Sequence, residues 1–140
     1  MKNNEIIKQA AEIISSGMKS CVLALIDAEG YPTASTITVA KSEGISWITF
    51  VGGTRSNKAQ RIAKCDRASV CFFSEEPLYN ITLVGIIEVL TDPEIKKETW
   101  YEGCEYHFSG FDDPNYCVLK FTTQRYNIFI GEDEEEGVIN

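Results

Sequence analysis

The chain has 140 residues and a mass of 15.7 kDa, 44% hydrophobic and 24% charged, which is the size and make-up of one domain with its own core and excludes a disordered polymer. Its formal net charge of −8, from 21 acidic against 13 basic residues, excludes the broad basic face that a nucleic-acid binder needs. No stretch approaches the ~18 consecutive apolar residues of a membrane span, and the start, MKNNEIIKQAAEII, lacks a signal peptide's apolar run, so a soluble, cytoplasmic protein is expected.

Residues 3–16 place Ile6, Ile7, Ala10, Ala11, Ile13 and Ile14 at helical spacing, which predicts a surface helix stopped by Gly17. Three strands follow, 21–27, 32–40 and 45–51, joined by glycine-bearing turns at 28–30 and 42–44, a pattern that predicts an antiparallel meander. Beyond Gly52 and Gly53 a short helix runs from Ser56 to Cys65, with Ala59, Ile62 and Ala63 on one side. Strands are predicted at 67–74 and 78–90, and Gly85 inside the second marks a bulge or bend. Asp92, Pro93 and Glu94 read as N-cap, first helical position and first-turn acid, opening a helix to about Glu102. After a short helical or irregular stretch at 106–114, residues 115–130 form a long closing strand, and the acidic tail at 132–140 is expected to be solvated and frayed. The fold class is mainly β (α+β): a six-stranded antiparallel barrel with short flanking helices, forming a single domain over 1–131.

Five cysteines, at irregular spacing and without a C-x-x-C pair, read as small buried hydrophobes in a reducing compartment. Cys104 and His107 make one C-x-x-H half-site, but zinc needs a second pair of ligands and the chain has no other histidine, so no metal is expected.

One feature runs against the overall charge. The stretch GGTRSNKAQRIAK and its neighbour Arg67 concentrate Arg55, Lys58, Arg61, Lys64 and Arg67 within thirteen residues. A helix N-terminus presents free N–H donors and partial positive charge, so cations there are unfavourable unless an anion joins them. A phosphate site fits: Gly52 and Gly53 admit close backbone approach, Thr54 and Ser56 supply hydroxyls, and Arg55 and Lys58 offset the charge. The competing reading is that Ser56 only caps the helix while Arg61 and Lys64 face solvent. Neither G-x-x-x-x-G-K-[ST] nor G-x-G-x-x-G is present, which disfavours a nucleoside triphosphatase. Thr33, Ser35, Thr36, Thr38, Thr49, Asn80 and Thr82 would suit a groove for a flat polar ring, and equally an ordinary sheet surface.

At this point the run WITFVGGTRSNKAQRIAKCDRASVCFF resembles the central motif of the FMN-binding split-barrel flavoproteins related to pyridoxamine 5′-phosphate oxidase, and GFDDPNYCVLKFTTQRYNIF resembles the end of their small general-stress-protein branch. The resemblance spans about Ser16 to Ile130 and implies a split β-barrel that pairs as a homodimer, with FMN at the interface. It implies that Ser35, Thr36, Ile37 and Thr38 run along the flavin ring, followed by Val51 and Gly52. Ser56, Asn57 and Lys58 match the family's phosphate element, with Arg55 beside them, and Asn80 stands where the oxidases carry an amide.

The sequence departs from the family where relatives place an Arg in the second strand, since it has Thr33, Ala34 and Ser35, and where they close on Trp, since only Tyr126 and Phe129 are available. It also lacks the C-terminal Arg and His segment that holds the substrate phosphate, so pyridoxamine phosphate oxidation is not expected. What the resemblance implies is an FMN-dependent oxidoreductase acting on a small molecule, with NAD(P)H or another donor entering the same cleft. The flavin supplies the redox chemistry and no side chain is assigned a catalytic role. Trp100, Tyr106, Phe108, Phe111 and Tyr116 are candidates for a substrate-side wall or for core packing. The alternatives are a non-enzymatic protein that binds flavin or another phosphorylated ring, and haem binding through His107.

Overall fold

The computed structural model describes residues 3–139. Helix α1 (Asn3–Ser15) buries Ile6, Ala10 and Ile14, spaced by four, and lays that stripe on the main core. Strands β1 (Ser20–Ile26), β2 (Pro32–Glu43) and β3 (Trp47–Gly53) form the expected antiparallel meander. The Asp27 carboxylate shapes the first turn by accepting from the Glu29 and Tyr31 N–H groups at 3.0 and 2.9 Å.

The second turn differs from the sequence expectation. A bulge between Val39 and Lys41 carries β2 on to Glu43, so the reversal moves to residues 44–46. Ile45, expected to start β3, is instead a buried plug whose carbonyl accepts from the Thr123 hydroxyl. The chain continues through α2 (Asn57–Lys64), β4 (Arg67–Ser74), β5 (Tyr79–Leu90), α3 (Pro93–Thr99), a 3₁₀ turn at Cys104–Tyr106, and β6 (Tyr116–Ile130). Helix α3 begins as predicted, with Asp92 accepting from the Ile95 N–H at 3.2 Å, but stops three residues short of Glu102 because Trp100 turns extended (ψ 134°).

The strands follow one another as β3-β2-β1-β4-β5-β6, and β6 pairs back onto β3, from Trp47 opposite Thr122 to Gly53 opposite Tyr116. This closes a six-stranded antiparallel barrel. Leu23, Ile48, Phe50, Val70, Phe72, Ile81, Leu83, Ile87, Leu119, Phe121 and Ile128 fill its interior. The tail expected to fray is ordered: β7 (Asp133–Val138) pairs with the far half of β6, Arg125 to Ile130. Its Glu134 and Glu136 face solvent while every second residue is half-buried, so a strand forms from acids that carry no strand signal of their own. No helix among the described residues is long and apolar enough to cross a membrane.

Closure depends on Gly85. The β5–β6 register shifts between Val84 and Gly85, and a Cβ at Gly85 would overlap the Thr122 carbonyl oxygen. Gly85→Ala is expected to destabilise the protein by about 2 kcal/mol or more, because the obstacle is backbone and cannot rotate away. A Gly85→Ala variant that melts within a degree of the parent would refute this role.

All five cysteines are free thiols; Cys21, Cys104 and Cys117 are buried, while Cys65 and Cys71 are half-buried. Burial raises the Cys21 thiol from 9.0 to about 12 and Cys117 to about 11, and raises the Tyr116 hydroxyl from 10.0 to about 12. These groups are neutral in both folded and unfolded chains below pH 9. Above it the unfolded chain sheds protons that the folded chain keeps, so stability should fall between pH 9 and about 12. Melting temperature measured against pH under reducing conditions should be level through neutrality and drop beyond pH 9.

Candidate functional site

The closure of β3 on β6 delivers Gly52 and Gly53 to the barrel rim. A Cβ at Gly52 would press to 3.2 Å from the Leu119 side chain, so the bare backbone here packs flat on β6. Four residues after Gly53, α2 begins. Ser56 is its N-cap, with Oγ accepting from the Ala59 N–H at 3.2 Å.

The donors of this turn can be accounted for one by one. The Thr54 N–H goes to the Asn115 carbonyl at 2.8 Å, the Ser56 N–H to Gly53 at 3.1 Å, and the Gln60 N–H to Ser56 at 3.1 Å. Among the described residues, the N–H groups of Arg55, Asn57 and Lys58 have no protein acceptor, and the Ser56 hydroxyl keeps its proton to donate. The Thr54 hydroxyl, expected to serve a ligand, is committed to Asn115 Oδ1 at 3.1 Å.

Beside this turn lies an open cleft of about 620 Å³. Six of the eleven sequence-predicted residues line it: Ile37 and Thr38 from β2, Val51 and Gly52 from β3, and Ser56 and Lys58 at the helix start. The other five do not. Ser35 and Thr36 lie farther along β2, exposed, opposite Leu23 and Val22. Arg55 is exposed, with its carbonyl accepting from the Gln60 side chain at 3.1 Å. Asn57 faces a separate shallow hollow, shared with Asp27, Glu29 and Arg61. Asn80 stands on β5 beside Thr82, whose hydroxyl donates to Asn80 Oδ1 at 3.2 Å. Two threonines of the proposed groove tie strands instead, Thr33 donating to the Leu25 carbonyl at 2.9 Å and Thr49 to Lys41 at 3.4 Å.

The facing wall comes from the segment between α3 and β6, with Tyr101, Cys104, His107 and Phe108. Its anchor is Tyr116, fully buried, whose hydroxyl donates to the Lys96 carbonyl at 2.7 Å and whose ring meets Trp100 edge-on at 5.3 Å and Phe108 at 5.3 Å. The buried Lys96 ammonium sits 5.3 Å over that ring and donates to the Asp113 carbonyl at 3.0 Å. Hydrogen bonds from the Ser109 and Asn115 N–H groups hold the Asp113 carboxyl below its ordinary range. Burial raises the Cys104 thiol, which keeps it a neutral, weakly polar surface on the cleft.

Of the candidate aromatics, Phe108 lines the cleft; Trp100 and Tyr116 pack behind it, and Tyr106 and Phe111 face solvent. Sequence reasoning missed Tyr101 and Asn115, and it singled out Cys104 and His107 only as a half-site for zinc and, for His107, as a haem ligand. The C-x-x-H spacing and the aromatic density of 100–116 were their only signal. Taken together, one end of the cleft offers N–H donors, a hydroxyl and an ammonium, and the other an apolar, aromatic wall. That combination suits an elongated molecule with an anionic end and a flat body.

Comparison with solved structures agrees on the fold. The chain is 24% identical, at a TM-score of 0.83, to a Clostridium acetobutylicum protein described as related to general stress protein 26 of Bacillus subtilis, covering 99% of this chain and 97% of that one. A pyridoxamine 5′-phosphate oxidase-related, FMN-binding protein of Nostoc punctiforme matches at 13% identity and a TM-score of 0.61, over 98% of this chain and 95% of that one. A haem-binding protein of Mycobacterium smegmatis matches at 18% and 0.76, over 95% of this chain and 57% of that one. No curated protein matches the chain by sequence. The family model described as pyridoxamine 5′-phosphate oxidase like matches residues 5–130, and the chain belongs to that family.

Proposed function

We propose that this protein binds FMN in the rim cleft and uses it as the redox group of an oxidoreductase acting on a small molecule. The observation that carries the reading is the set of uncommitted donors on the residues at one end of the cleft, the Lys58 N–H and the Ser56 hydroxyl, together with the Lys58 side chain. These residues fit a phosphomonoester: hydroxyl and N–H groups orient its oxygens and the ammonium offsets its charge. The residues toward the ring also fit, since Ile37, Val51 and Phe108 give an apolar surface while Thr38 and the β2 backbone offer polar atoms. Bound there, FMN would supply hydride or electron transfer. The chain's own part is to hold the phosphate, present the ring to the cleft mouth and keep water from the Cys104 and Phe108 side. The same reading gives a cytoplasmic protein, consistent with five free thiols.

A second copy of the chain belongs to this proposal. Val22, Phe73 and Val138 are exposed on β1, β4 and β7, at 37%, 61% and 66% of their surface. Asn80 lies opposite Phe73 in the β4–β5 pair, so docking through this face would give it and the exposed Thr36 a role they lack within one chain. The haem alternative rests on one observation, that His107, the chain's single histidine, lines the cleft.

The spectrum of the purified protein separates the readings: flavin absorption supports the proposal, whereas an intense Soret band would replace it with haem. Bleaching by NADH or NADPH without oxygen, followed by turnover with an acceptor, marks the enzyme; a flavin that no donor reduces marks a binding protein. Lys58→Ala is expected to weaken FMN roughly tenfold to a hundredfold, from the loss of one charge-assisted contact, while sparing riboflavin. Arg55→Ala, at an exposed position off the cleft wall, should cost less than about threefold. Equal FMN affinity in Lys58→Ala and the parent would remove the phosphate assignment.

A further inference from the structure

We propose that Asn115 is the positioning residue of the cleft's anion end, clamping Thr54 by main chain and side chain at once and so fixing the turn that presents Ser56 and Lys58 to the cleft. The inference rests on the flavin reading for its ligand, but the clamp itself is a property of the chain. The Asn115 carbonyl accepts from the Thr54 N–H at 2.8 Å and its Oδ1 from the Thr54 hydroxyl at 3.1 Å. Two bonds from one residue leave Thr54 little freedom. The turn after it has a single internal main-chain tie ahead of the helix, the Ser56 N–H to Gly53.

The clamp is itself held from behind. The Asn115 N–H donates to Asp113 Oδ1 at 2.9 Å, and the Asp113 carbonyl takes the ammonium of Lys96, a residue only 7% exposed. Tyr116, next in the chain, is fully buried and paired with Gly53. Asp113 and Asn115 thus tie the start of β6, α3 and the phosphate turn together, one local bond between them and one long-range bond from Lys96, which gives the DDPN stretch a physical role.

Residue type matters as much as position. An alanine offers no acceptor to the Thr54 hydroxyl. An aspartate offers one of the same reach but adds a negative charge on the wall that also carries Ser56 and Lys58. The carboxamide is neutral, and with Oδ1 engaged its nitrogen is turned toward Gly53, where it would lie 3.5 Å from an added Cβ. Asparagine therefore accepts from Thr54 without opposing an anion.

The test compares FMN with riboflavin, which lacks the phosphate, in Asn115→Ala, Asn115→Asp, Thr54→Val, Thr54→Ser and the double variant Asn115→Ala/Thr54→Val, together with amide exchange at Thr54 in the flavin-free protein. Asn115→Ala and Thr54→Val should each weaken FMN about fivefold to tenfold and riboflavin by less than about twofold, as expected for one neutral hydrogen bond acting on the phosphate end. The double variant should be no worse than the weaker single, because both remove the same interaction. Asn115→Asp should weaken FMN further while sparing riboflavin, and Thr54→Ser should bind as the parent does. In Asn115→Ala the Thr54 amide should exchange at least about fivefold faster while that of Phe50 is unchanged. Unchanged Thr54 exchange, equal losses for FMN and riboflavin, or additive single effects would each overturn the clamp. If Asn115→Ala does not fold, Thr54→Val carries the same comparison. Should the parent bind no flavin, the functional proposal fails, and the Thr54 exchange rate still decides the clamp.

Discussion

The pairing of β3 with β6 is the constraint on which the rest depends. It closes the barrel, and its last rung sets Gly53 against Tyr116. The anion end of the candidate site follows from those two residues within a few positions: the glycine-bearing turn and the start of α2 on one side, and Asn115 and Asp113 on the other. A slip of one residue in that ladder would turn Phe50 and Leu119 out of the core and carry the Asn115 carbonyl away from Thr54. Core packing and site geometry are therefore one requirement. Burial of side chains such as Phe50, Leu119 and Phe121, each worth roughly 1.5–3 kcal/mol on transfer from water, makes the register costly to change.

Electrostatics acts on a smaller scale than net charge suggests. The chain carries −8 overall, yet screening confines surface charges to about 8 Å at physiological salt, so the acids of β7 do not decide what the α2 N-terminus attracts. The decisive quantity is local: N–H groups with no partner, a hydroxyl able to donate, and one ammonium on the cleft wall. Arg61 and Lys64, on the later turns of α2, face the hollow that also holds Asp27 and Glu29 and contribute little to the rim. The competing sequence reading, that those two cations decorate the outer face of the helix, thus holds for them, while Lys58 belongs to the cleft.

Much of the fold was legible because the local signals agreed with one another. Ser56 and Asp92 cap their helices as their neighbours predicted, Gly85 bulges, and the meander follows its glycine turns. The failures have two causes. Ile45 has strand-forming chemistry but is claimed by a buried site under Thr123, and Trp100 is claimed by Tyr116 before α3 can reach Glu102. Residues 133–138 become a strand because β6 runs past β3 and leaves an edge to pair. For Ile45 and Trp100 a partner distant in sequence overrides a local preference, whereas β7 pairs with the strand just before it across the turn at Gly131 and Glu132, and its acids hid a hairpin that lies within one window. For the site, the residues on the turn itself were readable, while the facing wall, built by residues 101–115 folding back, was not.

That asymmetry has a physical consequence for how the cleft can vary. The anion end is built from backbone: N–H groups, two glycines and a cap, positioned by β3 and α2 and by the clamp from Asn115. Such an end tolerates few substitutions, because replacing either glycine or the cap changes main-chain geometry. The opposite wall is made of side chains on a connection with only one 3₁₀ turn of regular structure, anchored chiefly where Tyr116 is held by Lys96, Trp100 and Phe108. Tyr101, half-buried, and His107, exposed, lie on this connection outside the barrel strands. The half of the cleft at the start of α2 is thereby fixed by the ladder, and the facing wall is free to differ, which is the division of labour expected when a rigid scaffold carries a variable loop.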